Sequence, residues 1–133
     1  MSKSLRRFEF LLPLRFNDGL PVPNDVVAES LLQLERRFGA VSSETQRIEG
    51  RWHHEGQSYR DELMRVFVDA PDLPATRQFF LEFKEVLMRE LRQIDIWMTT
   101  YPIEVLLPTL IVVSPCIRPP PRVPSSLASF LWK

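Results

Sequence analysis

Two stretches of the chain repeat apolar residues with a helical period, and each is flanked by segments in which apolar residues alternate. Val27, Leu31, Leu34 and Phe38 recur at steps of four, three and four, which puts them on one helix face. Phe80, Phe83, Leu87 and Leu91 form a second such stripe. Ahead of the first helix, Phe8, Phe10, Leu12, Leu14 and Phe16 take alternate positions of residues 7–16, the pattern of a half-buried strand. Residues 40–52 read as a polar strand, residues 57–69 as a third strand ending in Val66, Phe67 and Val68, and Ile94–Tyr101 as the last. Ile103 and Val105 extend that last strand past Pro102. The order is β-α-β-β-α-β. Right-handed crossovers and short connections leave few ways to pack it. The expected fold is α+β, a ferredoxin-like sandwich: a four-stranded antiparallel sheet with two helices on one face. Strands one and three are then central, and the polar second strand is an edge.

Local chemistry agrees with these boundaries. Pro13 removes a backbone donor, so a bulge or an unpaired position is expected there. Asn17, Asp18 and Gly19 end the first strand in a turn. Pro21, Pro23, Asn24 and Asp25 open the first helix, Arg36 and Arg37 suit the negative end of its dipole, and Gly39 fits the residue just past it. Asp72 or Pro74 starts the second helix. His53, His54, Glu55 and Gly56 make the turn of the central hairpin. A two-residue turn at Glu55-Gly56 would set Arg51 opposite Arg60 and Glu49 opposite Glu62, which is unfavourable. A four-residue loop, His53 to Gly56, pairs Glu49 with Arg60, Arg47 with Glu62 and Glu44 with Arg65, and puts Gly50 beneath Tyr59. The four-residue loop is therefore expected.

The aromatic residues divide between two surfaces. Phe8, Phe10, Leu12, Met64, Val66, Val68, Ile96 and Met98 face the helices by alternation, with Phe38, Phe80 and Phe83 packed on them. The other face carries Leu11, Ile48, Trp52, Tyr59, Leu63, Phe67, Trp97 and Tyr101, with Arg15, Asp61, Arg65 and Thr99 among them. Both tyrosines and two of the three tryptophans lie there. Tyr and Trp join apolar area to a polar handle and favour surfaces that meet something. An open patch of this size exceeds what monomers expose, so a second subunit, the chain's own tail or a ligand is expected to cover it. Two such sheets face to face make a dimeric α+β barrel, whose interior is either a packed homodimer core or a cavity for a small molecule. Stacking of nucleic acid is the weakest alternative. The third strand, YRDELMRVFVD, lacks the Gly-aromatic pattern of RNA-recognition modules, and the patch includes acids.

Charge and cysteine content narrow the function classes. The formal charge is zero, but residues 106–133 hold three basic residues and no acid, so residues 1–105 hold 14 basic and 17 acidic side chains, a net of −3. That balance argues against a nucleic-acid partner. Cys116 is the single cysteine, which excludes an internal disulfide and a Cys-rich zinc site and is compatible with a cytoplasmic protein. Glu9 and Arg15 interrupt the apolar N-terminal stretch, so a strand is expected there rather than a signal peptide. The run Val105–Val113 is too short to span a membrane and contains Pro108.

No phosphate loop, dinucleotide fingerprint, zinc motif or nucleophile elbow is present, so neither a cofactor nor a metal is implied. His53 and His54 are adjacent, and neighbours at a turn seldom aim both rings at one metal. The candidates for acid–base chemistry are His53, Tyr59, Asp61 and Arg65, with Glu55 or Asp61 able to orient a histidine. The bland reading is a solvated turn and an ordinary cross-strand charge pattern. The function expected is a small binding or regulatory protein, homodimeric through the aromatic face. The alternatives are a cofactor-independent enzyme acting on a small organic substrate inside a dimeric barrel, and a structural or interaction partner of another protein.

FEFLLPLRFNDG, RFGAVSSETQ, GRWHHEGQSYRDEL, RVFVDAPD and QIDIWMTTYPIEVL together resemble a family of short uncharacterised bacterial proteins over residues 7–105. A more distant similarity is to small families whose helix ends in RFG, followed by a GxW strand and a strand bearing an acid. The resemblance implies a ferredoxin-like fold and no assigned activity. Such proteins end near Val105. Beyond it this chain has residues 106–133, with half of its twelve prolines. The expectation is a domain over residues 1–105 and a Pro-rich extended or disordered tail. The tail would fold back on an apolar surface, offer a proline-rich partner motif, or be an unselected extension.

Overall fold

The computed structural model describes residues 4–108. Strand β1 (Leu5–Pro13) leads to helix α1 (Asn24–Phe38), strands β2 (Ser42–Ser43), β3 (Ile48–His54) and β4 (Gln57–Pro71), helix α2 (Pro74–Glu90) and strand β5 (Met98–Ile103). The fold is mixed α and β, with one antiparallel sheet of five strands in the order β2-β4-β1-β5 and β3 also paired with β4. The sheet has five strands rather than four because the polar edge segment is split. From Ser43 to Ile48 the chain advances five residues while its partner runs three, from Val66 to Leu63. The two extra residues bulge out between β2 and β3.

Both helices cover the sheet face that carries Phe8, Phe10, Leu12, Val66 and Val68. Leu34 of α1 and Phe80, Phe83 and Leu87 of α2 close that core. Phe80 stacks on Phe8 at 4.2 Å and on Phe38 at 5.2 Å between ring centres, and Phe83 meets Phe10 edge-on at 5.8 Å. Ser30, buried within the α1 stripe, donates to the Val26 carbonyl and so spends its hydroxyl inside the helix. Gly39 ends α1 with φ +84°, and its N–H donates to Glu35 O at 2.7 Å, the left-handed termination that glycine adopts without strain.

The central hairpin departs from expectation. Its ladder sets Trp52 opposite Tyr59, Arg51 opposite Arg60 and Glu49 opposite Glu62, closed by a two-residue turn at Glu55-Gly56. Both turn residues have positive φ, +49° and +76°, as a turn matched to the strand twist requires. The like charges escape one another by reaching diagonally or along their own strand. Glu49 takes Arg60 and Arg51, and Glu62 takes Arg47 and Arg15. The three ion pairs expected of the longer loop all form: Glu49–Arg60 and Arg47–Glu62 without their partners being directly opposite, and Glu44–Arg65 where the chain still follows the β2 alignment. β2 keeps the other alignment, with Ser42 opposite Phe67; the bulge switches the register by two. Gly50 lies opposite Asp61, not Tyr59, and Leu63 is the side chain that covers it. A Cβ at Gly50 would sit 2.7 Å from Leu63 Cδ1.

The last strand starts later than its sequence suggests. Arg92 has φ +53°, and Asp95 accepts from the Ile96 N–H while pairing with Lys84, which makes residues 92–97 a shaped connector. Ile96 is still buried against the helices. Pro102 sits within β5, an edge strand, where a missing donor costs least.

Candidate functional site

No helix or strand among the described residues covers the sheet face opposite the helices. Its residues separate into two regions rather than one continuous aromatic patch. At one end, around β1, β4 and β5, side chains pair as ions. Arg7 makes two bonds to the Asp69 carboxylate, at 2.7 and 2.9 Å. Arg65 bonds Glu9 and Glu44, and the Tyr101 hydroxyl donates to Glu9 at 2.7 Å. Both guanidiniums lie over the Phe67 ring, 4.4 and 4.8 Å from its centre. The Arg65 bond, helped by Tyr101, holds the Glu9 carboxyl below the usual carboxylate range against the opposing effect of burial. The same Glu9 contact pushes the Arg65 guanidinium up, and Asp69 does this for Arg7. These groups are paired to one another and neutralised within the face.

The other end holds a groove of about 480 Å³. Leu11, Leu63 and Gly50 line it, and Trp52 and Trp97 border it. Each is placed by a local rule. Leu63 can lie over β3 only because Gly50 has no side chain. Trp52 stacks on Tyr59 at 4.3 Å and 14°, directly across the ladder, a pairing worth roughly 0.5–1.5 kcal/mol beyond its buried area. The Trp52 indole N–H donates to Asp61 Oδ2 at 2.6 Å. Trp97 is held by its carbonyl, which accepts from the Leu11 N–H at 3.1 Å. Its ring stays 69% exposed, a large apolar side chain left in water. Gln93, buried in the connector before β5, also lines the groove.

The structure brings Leu11, Trp52, Leu63, Trp97 and Asp61 to one groove. Ile48 stands opposite Leu63 in the ladder. Phe67 and Tyr101 belong to the ionic end. Arg15 lies past the end of β1 and bonds Glu62 and the Gly19 carbonyl, away from the tryptophans. The four acid–base candidates do not converge. His53 pairs with Ser58 and shares its side of the ribbon with Arg51 and Arg60, while Tyr59 and Asp61 alternate to the other side. The His53 ring bonds the Ser58 hydroxyl, Tyr59 donates to Gln57, and Arg65 is taken by Glu9 and Glu44. Gln93 and Gly50 were not legible as groove residues. Gln93 falls in a segment that reads as the approach to a strand, and the only trace of Gly50's role was its place two residues before Trp52.

No family model matches the chain, and no curated protein matches it. Among solved structures, the chain is similar in fold to a phage SAM lyase in complex with S-methyl-5′-thioadenosine, with a TM-score of 0.54 and 13% identity over 79% of this chain and 92% of that one. The apo state of a phage SAM lyase gives 0.43 at 15% identity, over 78% and 90%. A B. subtilis GlnK–ATP complex gives 0.40 at 14% identity, over 77% and 84%. The likeness is one of fold: a small mixed α and β protein. Among the described residues no helix is long and apolar enough to cross a membrane.

Proposed function

We propose that the protein is a small cytoplasmic binding or regulatory protein whose ligand site is the groove between Trp52 and Trp97. One observation carries this reading: an indole left 69% exposed at the edge of an apolar groove of about 480 Å³, on a sheet face that no described element covers. Small-molecule sites are concave, mostly apolar and fitted with few polar groups. A protein of like fold holds S-methyl-5′-thioadenosine, which is compatible with a small-molecule site on this scaffold. Binding is favoured over catalysis because His53, Tyr59, Asp61 and Arg65 are not gathered around one point.

We read the split β2–β3 edge as the second strand of a ferredoxin-like sandwich spanning residues 1–105. The face-to-face homodimer of such sheets would cover the open face and close the groove. Internal pairing of Arg7 with Asp69 and of Arg65 with Glu9 lowers the cost of burying those charges. The test of the site is a small-molecule fragment library followed through the indole N–H resonances of the labelled protein. Hits that move both Trp52 and Trp97 are expected. A library whose hits all leave these two signals in place would refute the site.

A further inference from the structure

Asp61 differs from the other acids of its sheet face in having no cation. Asp69 is met by Arg7, and Glu9 by Arg65. Asp61 has one partner among the described residues, the neutral indole N–H of Trp52; Arg15, Arg47 and Arg60 line a hollow beside it but are engaged by Glu62 and Glu49, so no cation pairs with its carboxylate. The second acid of the groove, Asp95, is already neutralised by Lys84 at 2.9 Å. Arg51, the basic residue bordering the groove among those described, is drawn to Glu49 at 3.1 Å.

A second polar group points to the same chemistry. Gln93 is only 7% exposed. Its amide nitrogen donates to the Leu91 carbonyl at 3.0 Å, which fixes the amide orientation, and its oxygen accepts no bond from a described residue. Among the described side chains at the groove, Asp61 and Gln93 therefore each present an acceptor that no protein cation meets, set among Leu11, Leu63, Trp52 and Trp97. A carboxylate left unpaired on being covered costs desolvation. A neutral ligand would leave that cost in place, and an anion would add repulsion. A cation removes it, and aromatic faces attract cations as well.

We propose that the groove binds an organic cation that carries N–H donors: a protonated amine whose charge is met by Asp61 and whose flat apolar body lies against the two indoles. This rests on the groove being the ligand site, and it adds the class of ligand.

Three probes that share a phenylethyl body test it: phenethylamine as the cation, 2-phenylethanol as its neutral isostere and 3-phenylpropionate as the anion. Each is titrated into the full-length protein at up to millimolar concentration, with the Trp52 and Trp97 indole N–H signals as readout. The amine should bind about tenfold more tightly than the alcohol, and the anion more weakly still. Asp61→Asn keeps an acceptor for the Trp52 indole, so a native melting curve is expected. It should remove the preference for the amine, bringing its affinity down to that of the alcohol. Equal affinity for all three probes, preference for the anion, or an amine preference that survives Asp61→Asn overturns the cation assignment while the groove stands as a site. Silence of both indoles toward every probe overturns the assignment together with the reading beneath it.

Discussion

Asp61, Asp69 and Glu9 share one sheet face, and their surroundings give them different work. Asp69 and Glu9 each meet an arginine across the ladder or diagonally to it. Their contribution is structural and depends on ionisation. For Glu9 the sign is set by the bond from Arg65, which holds its carboxyl below the ordinary value of 4.5. The unfolded chain then takes up the proton first on acidification. The stabilisation is complete above the unfolded value and is lost as pH falls through the folded one. Urea midpoints recorded between pH 3 and 7 should therefore fall below about pH 4.5 in the wild type and fall less steeply in Glu9→Gln. At neutral pH the substitution should cost about 1 kcal/mol, because the pair is only partly buried. A wild type and variant with parallel acid limbs would show that Glu9 is not a source of the pH dependence.

At the scale of elements, the hairpin is where local chemistry prevailed over a reading of charge. The like-charge clash of Arg51 with Arg60 is real only if side chains reach straight across; here Arg60 reaches diagonally to Glu49, and Arg51 reaches along its own strand to the same carboxylate. Turn geometry and the Trp52–Tyr59 stack then select the two-residue turn. Gly56→Ala should cost about 1 kcal/mol, since a Cβ at positive φ is strained. Glu55→Asn should stabilise by a few tenths of a kcal/mol, because Asn-Gly suits such a turn. Thermal or urea denaturation measures both, and a neutral Gly56→Ala would contradict the turn. In the core, Phe80→Ala should cost about 3–5 kcal/mol, since its ring joins both helices to the sheet through Phe38, Phe83 and Phe8. Helix stripes, the Gly39 termination and the alternation of β1 were legible in the sequence because each follows from the period of a single element. The bulge between β2 and β3 was not, because residues 44–47 are polar throughout and their offset depends on the neighbouring strand. The connector at residues 92–97 was hidden for a related reason: Ile94 and Ile96 alternate like a strand, while Arg92 and Asp95 bend the backbone.

At the scale of the whole molecule, the sequence foretold a second surface and misjudged its character. Alternation put Trp52, Trp97, Leu11 and Leu63 on one face, and they line one groove in the structure. It also joined them to Phe67 and Tyr101, which the structure surrounds with paired charges. Which polar residues pair with each other is a tertiary fact, and it decides where the face is apolar. The expected Pro-rich tail lies for the most part outside the described residues. Val105, Leu106 and Leu107 line a second cavity of about 270 Å³ with Val41 and Phe67, so the chain leaving the β5 edge reaches residues beside β2. Leu106 is nonetheless 86% exposed, and among the described residues every member of the core cluster precedes Ile103. If residues 1–105 are the folding unit, a chain ending at Pro108 should melt within about 4 °C of the full-length protein, the shift that about 1 kcal/mol would produce. A larger loss would assign the remaining residues to the folded domain. Sedimentation tests the homodimer: the wild type should associate with rising concentration and Trp97→Glu should not, whereas a wild type that stays monomeric removes the face-to-face assembly.

Native mass spectrometry of the protein as purified is the most direct measure of whether Trp52 and the exposed Trp97 border a ligand site. The account predicts a small-molecule adduct, amine-bearing in composition, on the wild type and none on Trp52→Ala or Trp97→Ala. An adduct retained in full by both variants, or a wild type free of any adduct under conditions that preserve its fold, would contradict it.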